Sequence, residues 1–304
     1  MLDILIVGGG PAALTAGLYG QRAGLSTKII EKEALGGQIA DSPKVENFPA
    51  QEAISGLNLI DKMLDQYTSF GGDVEMDEIL SVKKDGGVFV SHGKYADYES
   101  KTVIIAAGVK HRRLGIEGED RLLGKGVSYC AVCDGPFYKG KDVVVIGDSS
   151  SALQYALMLS EICHHVTICT LFEGFFAEDC LIKAIGKKEN ISVYHCLNSV
   201  RFNGESALKS ITFKDTKTGE EKDIGCDAAF VAVGQKPDND RFLPLIDEEK
   251  GFIKADDSTM GTKTPGLFAA GDCRVKKIRQ LTTACADGAI AALSASEYIQ
   301  KLQS

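Results

Sequence analysis

Residues 2–13 read LDILIVGGGPAA. A six-residue apolar strand runs straight into three glycines, and residues 14–24 (LTAGLYGQRAG) then carry apolar positions at helical spacing. A second apolar strand at 27–30 ends in Glu31, an acidic residue about 20 positions past the glycines, as a dinucleotide-binding βαβ unit requires. Gly8 permits the tight turn, Gly10 lets backbone approach a pyrophosphate, and Ala13 keeps the helix close to the strand. The helix N-terminus, entered through Pro11 and Ala12, offers N–H groups and positive dipole to the phosphates. Glu31, followed by Lys32, is placed to accept from ribose hydroxyls. A lone Gly-x-Gly-x-x-Ala is weak evidence and needs support from the rest of the chain.

The same grammar returns in mid-chain. Residues 142–152 read DVVVIGDSSSA, a strand and a turn leading into a helical pattern to 162, and HVTIC at 165–169 is the following strand. Residues 102–108 (TVIIAAG), 228–234 (AAFVAVG) and 267–272 (LFAAGD) read as buried strands ending in small residues, and a helix is expected over 281–299. Two such units predict an α/β fold of two doubly wound, Rossmann-like domains, the second inserted in the first. The expected first domain is 1–110 plus 238–304, the inserted domain is 113–236, and the linkers are 109–114 and 234–240.

At 304 residues the chain suits two domains with real cores. A net charge of −8 argues against a general nucleic-acid binder, since phosphate affinity needs a basic surface. No apolar run approaches the ~20 residues that span a bilayer. No basic n-region precedes the strand at Leu2, so the expectation is a soluble cytoplasmic protein without a secretory signal. The nine cysteines are odd in number and scattered, which reads as reduced thiols plus one special pair. That pair lies in Tyr129-Cys130-Ala131-Val132-Cys133-Asp134-Gly135. Thiols two residues apart close a small disulfide ring with little rearrangement, and the spacing favours a lowered thiol pKa and fast exchange. A zinc site would need a second such pair or spaced histidines. Cys163 with His164 and His165 matches no zinc pattern, so no metal is expected. Cys169, Cys180, Cys196, Cys226, Cys273 and Cys285 are expected to be small buried hydrophobes.

Further segments support the first glycine turn. Gly36-Gly37-Gln38 and Val45-Glu46-Asn47-Phe48-Pro49 resemble the flavin-contacting segments of low-molecular-weight thioredoxin reductases. Ala106-Ala107-Gly108 resembles their crossover turn, and Gly271-Asp272-Cys273 through Arg279-Gln280-Leu281 resembles their second FAD motif. The matches run in order over nearly the whole chain. The resemblance implies a thioredoxin reductase-like fold, FAD as cofactor, thioredoxin as substrate and a homodimer. It implies that Cys133 faces the flavin, that Cys130 attacks the partner disulfide, and that Asp134 protonates the leaving thiolate. Because one sulfur pair cannot touch a buried flavin and a protein substrate at once, the linkers are expected to act as hinges.

The mid-chain turn departs from that family. Its middle glycine is Ser149, and Asp148 adds negative charge where two phosphates would sit. The NADPH-dependent members carry a His-Arg-Arg-x-x-x-Arg cluster after the next strand; here Thr170, Leu171, Phe172 and Phe176 hold those four positions. Hydrogen bonds to charged groups are worth ~1.5–3 kcal/mol each, so losing two weakens NADPH binding by roughly 10²–10⁴-fold. No carboxylate ends the strand to signal NADH instead. His111-Arg112-Arg113 spells part of the cluster but lies in a linker. Intact FAD segments and CxxC beside a degraded NADPH site resemble the ferredoxin-dependent flavin thioredoxin reductases, which implies reduced ferredoxin as donor. From about −400 mV for plant-type ferredoxins to about −270 mV for thioredoxin, two electrons fall by roughly 6 kcal/mol. Arg274, Lys276, Lys277 and Arg279, with Arg112 and Arg113, are the expected basic surface for acidic ferredoxin. Phe172, Phe175 and Phe176 are expected to pack as core in the vacated nucleotide pocket. An NADPH-dependent reductase with an atypical site, an oxygen-dependent dithiol oxidase of the same fold and a non-catalytic redox sensor remain alternatives.

Overall fold

The computed structural model describes residues 1–42 and 45–303; residues 43, 44 and 304, which fall in the expected first domain, lie outside it. The chain forms two compact units, Met1–Lys110 with Lys236–Ser304, and His111–Gln235.

In the first unit the parallel strands run in the order Asp73–Met76, Thr27–Glu31, Leu2–Val7, Asp97–Ile105, Leu267–Ala269. An antiparallel pair, Ile79–Asp85 and Val88–Gly93, extends the sheet from the first half of Asp97–Ile105. The central strand is apolar from Ile4 to Val7 because both of its faces are covered there. Ile4 and Ile6 join the core with Ala13, Leu14 and Ile29. Leu5 and Val7 point to the opposite core, with Ile30, Ile105 and Phe242. The helix Pro11–Arg22 takes proline at its first position, where a missing N–H costs nothing and φ is already helical. Ser55 caps Gly56–Ser69 by accepting the Asn58 N–H at 3.2 Å.

In the second unit five parallel strands run Ile191–Tyr194, His165–Cys169, Asp142–Ile146, Ala228–Val231, Val127–Ser128. Alternation again sorts the core. Val143 and Val145 face Leu153, Ala156 and Leu159 of the helix Ser150–Ser160, while Val144 and Ile146 face Phe202, Ile211 and Phe213. Those three residues come from an antiparallel sheet, Leu197–Asn203, Ser210–Asp215 and Glu221–Gly225.

Both central strands end on a glycine that no other residue can replace. Gly8 has φ +114°, and a Cβ there would lie 2.3 Å from the Ala106 carbonyl oxygen. Gly147 has φ +149°, with the Ala232 carbonyl oxygen 2.5 Å from its would-be Cβ.

The C-terminal helix Leu281–Gln303 packs on Pro11–Arg22, and the two backbones meet at Gly288, where a Cβ would stand 2.1 Å from the Ala12 carbonyl oxygen. Alanine in place of a mid-helix glycine ordinarily stabilises by about 1 kcal/mol. Here the clash is with backbone and the helices must part, so Gly288→Ala is expected to destabilise by about 2–4 kcal/mol. Chemical denaturation measures it, and a gain in stability would refute the close approach.

Candidate functional site

The first glycine turn carries a cradle. Gly8 donates its N–H to the Ile30 carbonyl at 2.8 Å, and Gly36 donates to the Gly9 carbonyl at 2.9 Å. Glu31, at the end of the second strand, accepts from the Gly9 N–H at 2.5 Å and the Glu33 N–H at 2.8 Å, so its carboxylate braces the turn. Gly10 is the helix N-cap, and a Cβ there would meet only the Gly36 oxygen, at 3.7 Å, leaving the backbone open to a ligand. Ala12 and Ala13 are buried beneath it. Gly36 and Gly37 both have positive φ. A cleft lined by Gly8, Glu31, Lys32, Ala107 and Gly108 leads from this turn; Lys32 also pairs with Asp238 at 2.7 Å. The Gln38 amide donates to the Val109 carbonyl.

The residues from the end of the chain arrive at the same unit. Asn47 donates to the Gln280 side chain at 3.3 Å, joining two segments far apart in sequence. Arg279 donates to the Asp272 carbonyl at 3.3 Å and lies over the Phe252 ring, and Leu281 opens the C-terminal helix. Burial raises the pKa of Asp272, against the pull of Lys276 and Arg279. Its Oδ1 is buried and has no partner among the described residues, which costs free energy unless a ligand supplies a donor. The residues fit FAD: a phosphate-ready helix N-terminus, an acidic residue at the end of the second strand, and a buried carboxylate oxygen waiting for a donor.

The redox pair lies in the second unit. Cys130 and Cys133 form a disulfide with Cα atoms 5.3 Å apart, and Cys130 Sγ accepts the Cys133 N–H at 3.2 Å across the short helix Ala131–Asp134. Burial raises the Asp134 pKa, opposed by a hydrogen bond from Ser128 to Oδ2 at 2.6 Å. Asp134 Oδ1 is buried without a partner among the described residues. Tyr129, just before the pair, donates its hydroxyl to buried Glu119 and stacks on His111.

The second turn is bordered by its own chain. Phe176 donates its N–H to the Asp148 carbonyl at 2.8 Å and bridges Ser149, and the Glu178 N–H reaches Ser150 Oγ at 3.2 Å. The side chain that this pairing sets beside the turn is therefore a phenyl ring. Buried Thr170 donates to the Phe172 carbonyl at 2.7 Å and contacts His195 Nδ1 at 2.8 Å, pinning the start of the loop. Glu173, on the same loop, pairs with Lys217 at 2.6 Å.

Several expectations are corrected. Phe172 and Phe176 do not fill a vacated pocket: they are 51% and 70% exposed and meet edge to face, while Phe175 is half-buried against His195. Arg274 and Lys276 are not a free basic surface. Both are buried on Asp287, with Arg274 Nε at 2.9 Å and Lys276 Nζ at 2.8 Å, because a cation of that length placed under a helix needs a carboxylate. Lys277 and Arg112 are exposed, Arg279 is half-buried, and Arg113 pairs with Asp120. Cys180 is exposed and Cys285 half-buried. Cys169, Cys226 and Cys273 are buried, their thiols pushed up to about 12 by desolvation and so inert. Sequence reading missed Asp287, which accepts the Gly271 N–H at 3.0 Å, and Ser128; neither belongs to a local motif.

Residues 2–288 match the pyridine nucleotide-disulphide oxidoreductase family. The chain is 38% identical over 302 residues to a thioredoxin reductase from Treponema pallidum, covering 99% of this chain and 98% of that one. Among solved structures, thioredoxin reductase from Streptococcus pyogenes superposes with a TM-score of 0.94 at 35% identity, covering 99% of each chain. A ferredoxin-flavin thioredoxin reductase from Clostridium acetobutylicum gives a TM-score of 0.55 at 28% identity, covering 99% of this chain and 98% of the other.

If Asp272 Oδ1 takes its missing partner from the cofactor, Asp272→Ala loses one charge-assisted hydrogen bond, worth ~1.5–3 kcal/mol, and FAD should bind roughly 10–100-fold more weakly. Flavin content after gel filtration, read by absorbance, measures it, and full retention would contradict the assignment.

Proposed function

The chain belongs to the pyridine nucleotide-disulphide oxidoreductase family and is a flavoprotein disulfide oxidoreductase of thioredoxin reductase type with FAD as cofactor, and from that premise we propose that it reduces thioredoxin with electrons from reduced ferredoxin rather than NADPH. The observation that carries the proposal is the loop after the strand His165–Cys169. Its backbone is pinned to the second glycine turn at Phe176, and the exposed side chains it offers there include Leu171, Phe172 and Phe176, with the carboxylate of Glu173 among them. A nucleotide 2′-phosphate would meet hydrocarbon and the Glu173–Lys217 ion pair where it needs a cluster of free cations. A ferredoxin-flavin thioredoxin reductase is 28% identical over nearly the whole chain, below the 35–38% of the thioredoxin reductases, so the loop and not the kinship carries the reading. The proposal includes a cytoplasmic homodimer, as in the family it resembles, and FAD held by the glycine turn, Glu31, the Gln38 and Asn47 segments and Asp272.

FAD, when bound, supplies the electron pair that opens the disulfide and can be charged one electron at a time. The protein's own groups do the sulfur chemistry. Cys130, losing its proton to solvent, attacks one sulfur of the partner disulfide; a Cys130–partner bond forms, the partner's S–S bond breaks, and the leaving sulfur takes the electron pair and a proton from Asp134. Cys133, losing its proton to solvent, then attacks Cys130 Sγ, closing the Cys130–Cys133 bond and releasing the second partner sulfur; solvent protonates that sulfur and returns a proton to Asp134. Two electrons leave the dithiol and the partner gains two thiols.

The test is anaerobic thioredoxin reduction with reduced ferredoxin, NADPH and NADH as alternative donors. Reduced ferredoxin should support turnover, and either nicotinamide should bleach the flavin at least 10²-fold more slowly, the lower bound set by two lost phosphate contacts. Rapid, complete bleaching by NADPH would overturn the proposal and leave an NADPH-dependent reductase.

A further inference from the structure

The strand Val127–Ser128 delivers one more side chain to the turn that holds the sulfur pair. Ser128 is 5% exposed. Its hydroxyl donates to Asp134 Oδ2 at 2.6 Å, accepts the Cys130 N–H at 3.0 Å, and lies 3.4 Å from the Cys130 carbonyl oxygen. One oxygen therefore touches both the backbone of a redox cysteine and the carboxyl group beside the pair.

A serine hydroxyl has a single proton to give and lone pairs to receive. With that proton committed to Oδ2 and a lone pair committed to the Cys130 N–H, Asp134 Oδ2 is held as an acceptor. A proton on the carboxyl then belongs on Oδ1, the oxygen that is buried with no partner among the described residues. There it is tied up in no internal hydrogen bond that transfer would first have to break. Were the carboxyl turned over, its O–H would be locked against Ser128.

We propose that Ser128 is a positioning residue for the sulfur exchange, fixing the Asp134 carboxyl so that Oδ1 carries the transferable proton and tying that carboxyl to the backbone of Cys130. The inference rests on Asp134 acting as the acid, and the test separates the two. Ser128 also opposes the burial that raises the Asp134 pKa. The titratable groups around Asp134 are few. Tyr138, on the adjoining turn Gly135–Tyr138, is pushed up by burial and then by the charge of Asp134. Tyr155 is the titratable group on the helix Ser150–Ser160, which packs against Ala131–Asp134. Cys130 and Cys133 adjoin it in sequence, and among the described residues no cation contributes to the Asp134 shift. Removing the hydroxyl therefore raises the Asp134 pKa further, and an acid whose pKa rises stays protonated to higher pH.

The experiment follows reoxidation of the dithionite-reduced holoenzyme across pH with two probes. Oxidised thioredoxin releases an alkyl thiolate that needs a proton, whereas dithiobis(nitrobenzoate) releases a weakly basic aryl thiolate that does not. Ser128→Ala should slow the thioredoxin reaction about tenfold or more and move its alkaline limb upward by about one pH unit, while leaving the aryl disulfide rate near that of the unaltered enzyme. Ser128→Thr should restore both. Asp134→Asn should slow thioredoxin alone and remove the alkaline limb. If Asp134→Asn changes neither rate, the reading of Asp134 fails and the inference with it. If Asp134→Asn behaves as expected while Ser128→Ala matches the unaltered enzyme, or slows both probes equally without moving the limb, the inference on Ser128 is wrong and the role of Asp134 stands. Ser128→Gly reads the same quantities should the alanine variant not fold.

Discussion

No side chain can stand at residue 8 or at residue 147. In each unit the central strand ends on a glycine whose missing Cβ is replaced by the carbonyl oxygen that follows a neighbouring parallel strand, at Ala106 in the first unit and Ala232 in the second. Two strand ends are thereby drawn together at the backbone, and the chain beyond each must turn sharply away into a helix. The crevice left at the carboxyl ends of the strands is where a doubly wound sheet receives a ligand. In the first unit it is lined by Gly8, Glu31, Lys32, Ala107 and Gly108. Its open backbone at Gly10 and the brace of Glu31 on the Gly9 N–H both depend on that first tight turn.

What the sequence made legible was local. The apolar runs in Leu2–Val7 and Asp142–Ile146 form strands whose side chains go to two cores, and a run that short can be read from the sequence alone. The CxxC spacing is likewise a short-range fact, and its cysteines are bonded. Relations across the chain were not legible. Nothing near Asp287 marks it as the acceptor for the Gly271 N–H, because the fold alone lays the C-terminal helix beside that turn. Ser128 is one hydroxyl among many until the strand ending there is seen to face Asp134. Asn47 and Gln280 were each chosen for resemblance to a family segment, and the hydrogen bond between them is a tertiary fact.

The run Arg274–Arg279 shows how charge misleads when burial is unknown. Read along the chain, four cations in six positions look like a docking surface. In the fold, Asp287 gathers Arg274 and Lys276, and Asp257 takes the remaining face of the Arg274 guanidinium at 2.6 Å. A buried carboxylate shared by two cations and a backbone N–H is held in one geometry, since any displacement strands charge in a poor solvent. The cluster therefore serves to fix Gly271, and through it the position of Asp272, rather than to attract a partner. Lys277, exposed, and Arg279, over the Phe252 ring, are what remains of the surface reading.

The two glycine turns also separate what the fold demands from what a ligand demands. The first glycine of each is held by a backbone contact inside the protein, so it persists whether or not anything binds. The middle position has no such internal neighbour: at Gly10 an added Cβ would find only one atom, at 3.7 Å, so in the first unit only an incoming phosphate gives a reason to keep it bare. In the second unit that position is Ser149, and the loop beside it presents Leu171, Phe172 and Phe176. The strand, helix and core of that unit are intact all the same, with Val143, Val145, Leu153 and Phe230 fully or almost fully buried. A sheet can thus keep its packing complete while the positions beside its glycine turn carry side chains, and it still serves as the scaffold for Cys130 and Cys133.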